Sequence, residues 1–235
     1  MGLFSEKGRC GAVIVAAGSA SRMQGIDKVM EPLDGEPMLI RTARVFACCE
    51  EISEIVIITR RDLMEQVSDL CVKAGLDKVR LVAPGGETRA DSVRIGLELL
   101  SGDVRYAAVH DGARPLVTRP LILRVLQKAK RTNAAAPAIP VKDTIKVAKD
   151  GIIEATPDRS TLFAVQTPQI FDKDLLIAAL ENAKQKGIPL TDECSAVEAI
   201  GKKVYLVEGS EENIKITTPG DLTIARAVLR GRHGK

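Results

Sequence analysis

Runs of β-branched residues alternate with segments of helical periodicity along most of this chain, and that alternation constrains the fold more than any other feature. Residues 11–17 (GAVIVAA), 54–59, 78–83, 106–111 and 134–140 read as strands. Between them, 37–49, 62–75, 88–100 and 118–131 place apolar residues at helical spacing. Pro37 sits in the first turn of the first helix, Gly75 closes the second, and Thr118 is a candidate N-cap for the fourth. Strand–helix–strand units of this kind join parallel strands and cover both faces of the sheet with helices. The expected fold is therefore α/β: a Rossmann-like, mostly parallel sheet with helices on both faces. Such sheets bind ligands at the carboxyl ends of their strands.

The rhythm breaks near Val141. Residues 144–157 (TIKVAKDGIIEATP) form two alternating segments around Asp150-Gly151, and Asp-Gly between extended runs is a hairpin signal. A hairpin inserted there, at about 141–157, would project as an arm. The α/β pattern then resumes, with helices at about 172–186 and 191–200 and a strand at 203–209. A segment NIKIT follows, whose Lys215 is read as ending a strand, and then a last helix at about 218–230. One domain spanning 1–235 with that insertion is expected, since a chain of this length can bury a self-sufficient core.

Composition removes several function classes. With 45% hydrophobic and 28% charged residues the chain is ordinary for a globular protein, and no apolar run is long enough to span a bilayer. The opening MGLFSEKGRC lacks the apolar core of a signal peptide, so a cytoplasmic protein without a membrane partner is expected. Five cysteines, at 10, 48, 49, 71 and 194, contain no CxxC pair and read as buried free thiols in a reducing compartment. A formal charge of +3 and an aromatic content of 3% argue against a nucleic-acid partner.

The strand-end loops carry the chemistry. VIVAAGSASRMQGIDK, residues 13–28, leaves a buried strand through Ala16, Ala17 and Gly18, where small residues let a ligand approach the main chain and amides can cradle a phosphate. Arg22 and Lys28 add two positive charges. Neither GxGxxG nor GxxxxGK[ST] fits, because Ala20 replaces the second glycine of the first pattern and no Gly-Lys-Ser/Thr run exists. GGETRADSV, residues 85–93, could admit a flat base beside Gly85 and Gly86, with Ser92 on a ribose or base; a plain turn with an N-cap would explain it equally. VHDGARP places Asp111 at a strand end, where a carboxylate can hold Mg2+ or cap a helix. His110 reads as a packed or supporting residue rather than a general base. The inventory is glycine, Arg, Lys and one Asp, with no Ser–His–Asp set and no Cys–His metal cluster. Phosphoryl or nucleotidyl transfer needs just this: positioned charge more than a covalent nucleophile.

Taken together, AAGSASRM with Lys28, GGETRADSV, VHDGARP, VKDTIK, DRSTLFAVQTPQIF, TDECSAVE and VEGSEENIKITTPGDL resemble the 2-C-methyl-D-erythritol 4-phosphate cytidylyltransferase family, CTP-using enzymes of the non-mevalonate isoprenoid pathway. The resemblance runs from Val13 to about Leu229. It implies a nucleotidyltransferase fold, CTP and a sugar-alcohol phosphate as substrates, Mg2+ as cofactor, and a homodimer joined through β-arms. It implies that Ala16, Ala17, Gly18, Gly86, Glu87 and Ser92 surround the cytidine. Arg22, Lys28 and Lys215 are the implied catalytic cations on the phosphates. Asp111, which also binds the metal, Arg114, Thr144, Arg159 and Thr167 are the implied substrate-binding residues, with Thr144 and Arg159 reaching across the dimer. Ala20 stands where the family usually has glycine.

Three rival readings follow from the same residues. A ribitol 5-phosphate cytidylyltransferase would share the architecture, but HDGARP, DTIK, Asp158-Arg159 and TDE favour the methylerythritol family by resemblance. A non-catalytic nucleotide-binding protein would have no need for Arg22, Lys28, Asp111 and Lys215 together. A dinucleotide-dependent oxidoreductase is disfavoured by the failed GxGxxG and by Thr59-Arg60-Arg61 where an acidic residue should close the second strand.

Overall fold

The structure is a computed structural model that describes residues 8–18 and 29–233. Strand β1 (Arg9–Val15) is central, and its residues from Cys10 to Ile14 are buried, as a parallel strand covered on both faces requires. A short hairpin, β2 (Pro32–Leu33) and β3 (Glu36–Pro37), leads into helix α1 (Met38–Ala47). The chain continues through β4 (Ile52–Thr59), α2 (Met64–Lys73), β5 (Val79–Pro84), α3 (Arg89–Leu99), β6 (Val104–Asp111), α4 (Arg119–Thr132) and β7 (Ala134–Pro140). An arm of β8 (Val147–Lys149) and β9 (Ile152–Ala155) comes next, followed by β10 (Phe163–Val165) and β11 (Gln169–Asp172). Helices α5 (Lys173–Gln185) and α6 (Glu193–Ala199), strand β12 (Tyr205–Glu208) and helix α7 (Pro219–His233) complete it.

Strands β6, β1, β4 and β5 lie side by side in parallel, with Val13 opposite Val109 on one side and Val56 on the other. β7 is parallel to β12, while β11 runs antiparallel to both β6 and β7. β11 is therefore a reversed strand wedged between co-directional neighbours, and β10 is a second reversed strand, antiparallel to β7. The carboxyl ends of β1, β4, β5, β6, β7 and β12 consequently face one edge.

Alternation along β1 divides the core. Ile14 joins Ile57, Phe46 and Leu121 under α1, α2 and α4, whereas Val13 joins Val56, Val93, Leu97 and Leu176 under α3, α5 and α6. Gly96 lets α3 approach closely, since a Cβ there would lie 2.3 Å from Val13 Cγ1. A third cluster, Leu33, Met38, Leu116, Ile216 and Leu222, docks α7 against the β2–β3 hairpin.

Several details differ from the sequence reading. Residues 213–217 are not a strand: the amide of Ile216 donates to the Ala113 carbonyl and Arg114 binds the Asn213 carbonyl, so a turn satisfies this segment instead of a sheet neighbour. β10, β11 and the β2–β3 hairpin were not anticipated. Asp34-Gly35 has the same positive-φ pair as Asp150-Gly151 (φ 51° and 79° against 52° and 80°), so one dipeptide signal marks both turns. Thr118 occupies the N-cap of α4 without a side-chain capping bond. All five cysteines are free, but Cys48 is exposed, not buried.

Candidate active site

Three backbone bonds fasten the strand-end loops to one another. Ala16 N–H donates to Ile58 O at 2.7 Å, Gly112 N–H to Val15 O at 2.8 Å, and Gly85 N–H to Thr59 O at 2.9 Å. They border a cleft of about 420 Å³. Ala16, Ala17 and Gly18 form one wall, Glu87 and Ser92 another, and Asp111, Arg89 and Lys215 project into it. Among the described residues, a Cβ on Gly18 would meet nothing within 4 Å.

Asp111 ends β6 and is the electrostatic centre. Its Oδ1 accepts from Arg89 Nη2 at 3.2 Å, and its Oδ2 lies 3.0 Å from Lys215 Nζ and 3.4 Å from Arg114 Nε. Burial works to raise this carboxyl, but Arg89, Lys215 and Arg114 outweigh it and hold the group well below the ordinary carboxylate range. Burial likewise depresses Arg114. Burial opposes the charge on Arg89 too, yet Glu193 and Asp111 overcome it and raise the guanidinium above its usual value. Glu193 is buried and bonds Arg89 Nη1 through Oε1 at 2.5 Å; burial raises its carboxyl despite that partner. Three cations thus meet at a partly enclosed site with two carboxylates, an arrangement suited to an incoming polyanion.

Each member is placed by its element. Arg89 is the first residue of α3, behind a capping box in which Thr88 and Asp91 satisfy each other's backbone amides. Lys215 is presented by the segment that Ala113 and Arg114 hold. Glu193 opens α6 behind a second box made by Asp192 and Ser195. Behind Asp111, fully buried His110 touches Thr167 and the Arg114 carbonyl, and burial lowers its pKa from 6.5 to about 4. The ring packs on Phe46, with centroids 4.9 Å apart.

The residues expected from sequence divide into groups. Ala16, Ala17, Gly18, Glu87, Ser92, Asp111 and Lys215 line the cleft, and Arg114 and Thr167 contact Asp111. Ser92 is committed to the loop: Oγ accepts from Gly86 N–H at 3.1 Å and donates to Thr88 O at 3.0 Å. The glycine pair also serves packing. A Cβ on Gly85 would lie 2.4 Å from that of Ala17, and one on Gly86 2.5 Å from that of Asp91, so protein atoms occupy the space beside both. Thr144 and Arg159 stand exposed at the base of the arm, where Arg159 Nη1 donates to Lys142 O at 2.9 Å; they do not line this cleft. Arg22 and Lys28, like Ala20, lie outside the described residues. The sequence reading missed Arg89 and Glu193. Both lie within segments it singled out, and Arg89 at the start of a helix that follows a strand-end loop was the available signal.

A family model described as 2-C-methyl-D-erythritol 4-phosphate cytidylyltransferase matches residues 10–231. A protein of that name from Desulforamulus reducens is 44% identical over 225 residues, spanning 94% of this chain and 96% of that protein. Another from Caldanaerobacter subterraneus subsp. tengcongensis is 43% identical over 222 residues, spanning 93% and 98%. Among solved structures, 4-diphosphocytidyl-2C-methyl-D-erythritol synthase from Anaerococcus prevotii superposes with a TM-score of 0.84 at 30% identity, covering 95% of this chain and 99% of that one. The 2-C-methyl-D-erythritol 4-phosphate cytidylyltransferase of Thermus thermophilus gives 0.77 at 33% identity, covering 93% and 98%.

Proposed function

This chain belongs to the 2-C-methyl-D-erythritol 4-phosphate cytidylyltransferase family, and from that premise we propose which of its residues carry the reaction. The enzyme converts CTP and 2-C-methyl-D-erythritol 4-phosphate to 4-diphosphocytidyl-2-C-methyl-D-erythritol and pyrophosphate. A phosphate oxygen of the sugar-alcohol phosphate attacks the α-phosphorus of CTP. The new O–P bond forms as the bond to the β-phosphate oxygen breaks and pyrophosphate leaves. A phosphate monoester is largely ionised at neutral pH, so no general base is required.

Both reactants are anions, and their repulsion is the main barrier to encounter. The observation that carries the assignment is the triple cation contact at Asp111 in the cleft. Lys215 and Arg89 offset the phosphate charge there, with Arg22 and Lys28 on the triphosphate. The loop of Ala16, Ala17 and Gly18 with Glu87 receives the cytidine, while Gly86 and Ser92 shape its wall. Arg114 and Thr167 frame the sugar-alcohol phosphate beside Asp111.

Asp111 is also assigned as the ligand for Mg2+. Among the described residues no group of three His, Cys, Asp or Glu side chains could hold a metal. One carboxylate fits Mg2+ where substrate phosphate oxygens complete the shell, the usual arrangement for this ion. When bound, the ion would neutralise charge on those phosphates.

The arm supports a homodimer. Its two strands form a separate sheet, and Ile152 and Ile153 are 71% and 60% exposed. An isolated hairpin is marginal in water, and a two-fold partner could cover these side chains at both ends. Thr144 and Arg159 would then enter the partner's pocket. Free thiols throughout, and no described helix long and apolar enough to cross a membrane, support a cytoplasmic setting.

Lys215 offers the cleanest test, because its side chain is 40% exposed and supports little of the fold. Lys215→Ala should lower kcat about a hundredfold, the usual effect of removing one fixed charge from a transition state, with the melting temperature nearly unchanged. A loss of stability with kcat preserved would make Lys215 a structural ion-pair residue.

A further inference from the structure

For a neutral ring the hydrogen bonds of His110 have only one consistent direction. Nε2 lies 3.2 Å from the Arg114 carbonyl oxygen, which can only accept, so Nε2 carries the proton. In the neutral form of this fully buried ring Nδ1 then holds the lone pair, and Thr167 Oγ1, 2.9 Å away, must donate to it. Having spent its one proton, that hydroxyl accepts the backbone N–H of Asp111 at 3.1 Å. The Arg114 amide closes the same turn by donating to the Asp111 carbonyl at 3.0 Å. One ring thus holds both ends of the turn, Arg114 directly and Asp111 through Thr167.

We infer that His110 is a positioning residue for cytidylyl transfer: its Nε2-protonated ring clamps the back of the 111–114 turn so that the Asp111 carboxylate and the Arg114 guanidinium meet at one centre. The inference rests on the proposed reading of the Asp111 centre as the reacting site. It also limits Thr167: a hydroxyl that donates to Nδ1 has no proton left for a substrate phosphate, so Thr167 frames that phosphate by its position and not by donating to it. The ring has no route to substrate of its own, since it is fully buried and flanked by Phe46.

Steady-state kinetics on four single variants and one double variant test this. His110→Phe keeps the ring and the Phe46 contact but removes both bonds. It should lower kcat about ten- to a hundredfold, the scale of a small misplacement at a reacting centre, while KM for CTP moves less than about threefold. His110→Asn, which restores an acceptor near Nδ1, should recover part of that loss. Thr167→Val should lower kcat as well, and adding it to His110→Phe should cost little more, because the two act through one chain. Unchanged kcat in His110→Phe, or equal losses in His110→Phe and His110→Asn, would overturn the inference. Asp111→Asn separates the two levels: full activity in that variant would remove the reading of the centre itself. Should His110→Phe fail to fold, nitrogen NMR of the wild-type imidazole decides. The Nε2-protonated tautomer supports the clamp and the Nδ1-protonated tautomer contradicts it.

Discussion

At the scale of residues, Arg89 does two things that pull apart on mutation. It lies in the cleft, where its proposed role is to offset phosphate charge, and it pairs with Glu193, which is only 1% exposed. Removing one partner of a buried pair commonly costs about 3–5 kcal/mol, because the other charge is left stranded. Arg89→Ala should therefore lower both kcat and the stability measured by denaturant unfolding. Adding Glu193→Gln should restore much of the stability and none of the rate. Recovery of both together would mean that Arg89 acts only as a strut. This pair also marks the limit of sequence reading. Asp111 and Lys215 were legible because a strand-end carboxylate and a lysine in a phosphate-type inventory have a recognisable chemistry. Glu193 was not, since its importance depends on α6 packing against α5, which in turn packs against α3, and no local pattern states that.

At the scale of elements, most of the parallel core was legible because buried strands and amphipathic helices differ in period. What escaped was short or reversed. β11 has four residues, follows Pro168, and gains its place by pairing with β6 and β7 rather than by alternation. The segment around Lys215 looked like a strand because Ile214 and Ile216 flank the lysine, yet Ile216 is buried against Leu116 and α7 instead of in the sheet. The helix that carries Arg89 and Ser92 is held by one close approach, Gly96 on Val13. Gly96→Ala would gain up to about 1 kcal/mol in helix propensity, but overpacking typically costs about 1–3 kcal/mol. With the added Cβ 2.3 Å from Cγ1 of fully buried, β-branched Val13, the second effect should win. A lowered melting temperature and reduced kcat are expected; a rise in melting temperature would show that α3 can shift outward freely.

At the scale of the whole molecule, the proposed homodimer is the part that one chain does not display. The arm stands on its own two strands, and Thr144 and Arg159 at its base, proposed to bind substrate, do not line this chain's cleft. Ile152→Asp should give monomers by light scattering that still bind CTP but turn over poorly. A monomer with full activity would place the substrate pocket within one chain, and an intact dimer would place the interface elsewhere.

The most direct test of the central claim is pyrophosphate release from CTP on adding 2-C-methyl-D-erythritol 4-phosphate, run beside ribitol 5-phosphate and beside UTP. Rapid Mg2+-dependent release is expected only with CTP and the methylerythritol phosphate, with UTP slower by at least about tenfold, as a mispaired buried polar group costs about 1–3 kcal/mol. Equal release with ribitol phosphate, or CTP binding without any release, would contradict the account.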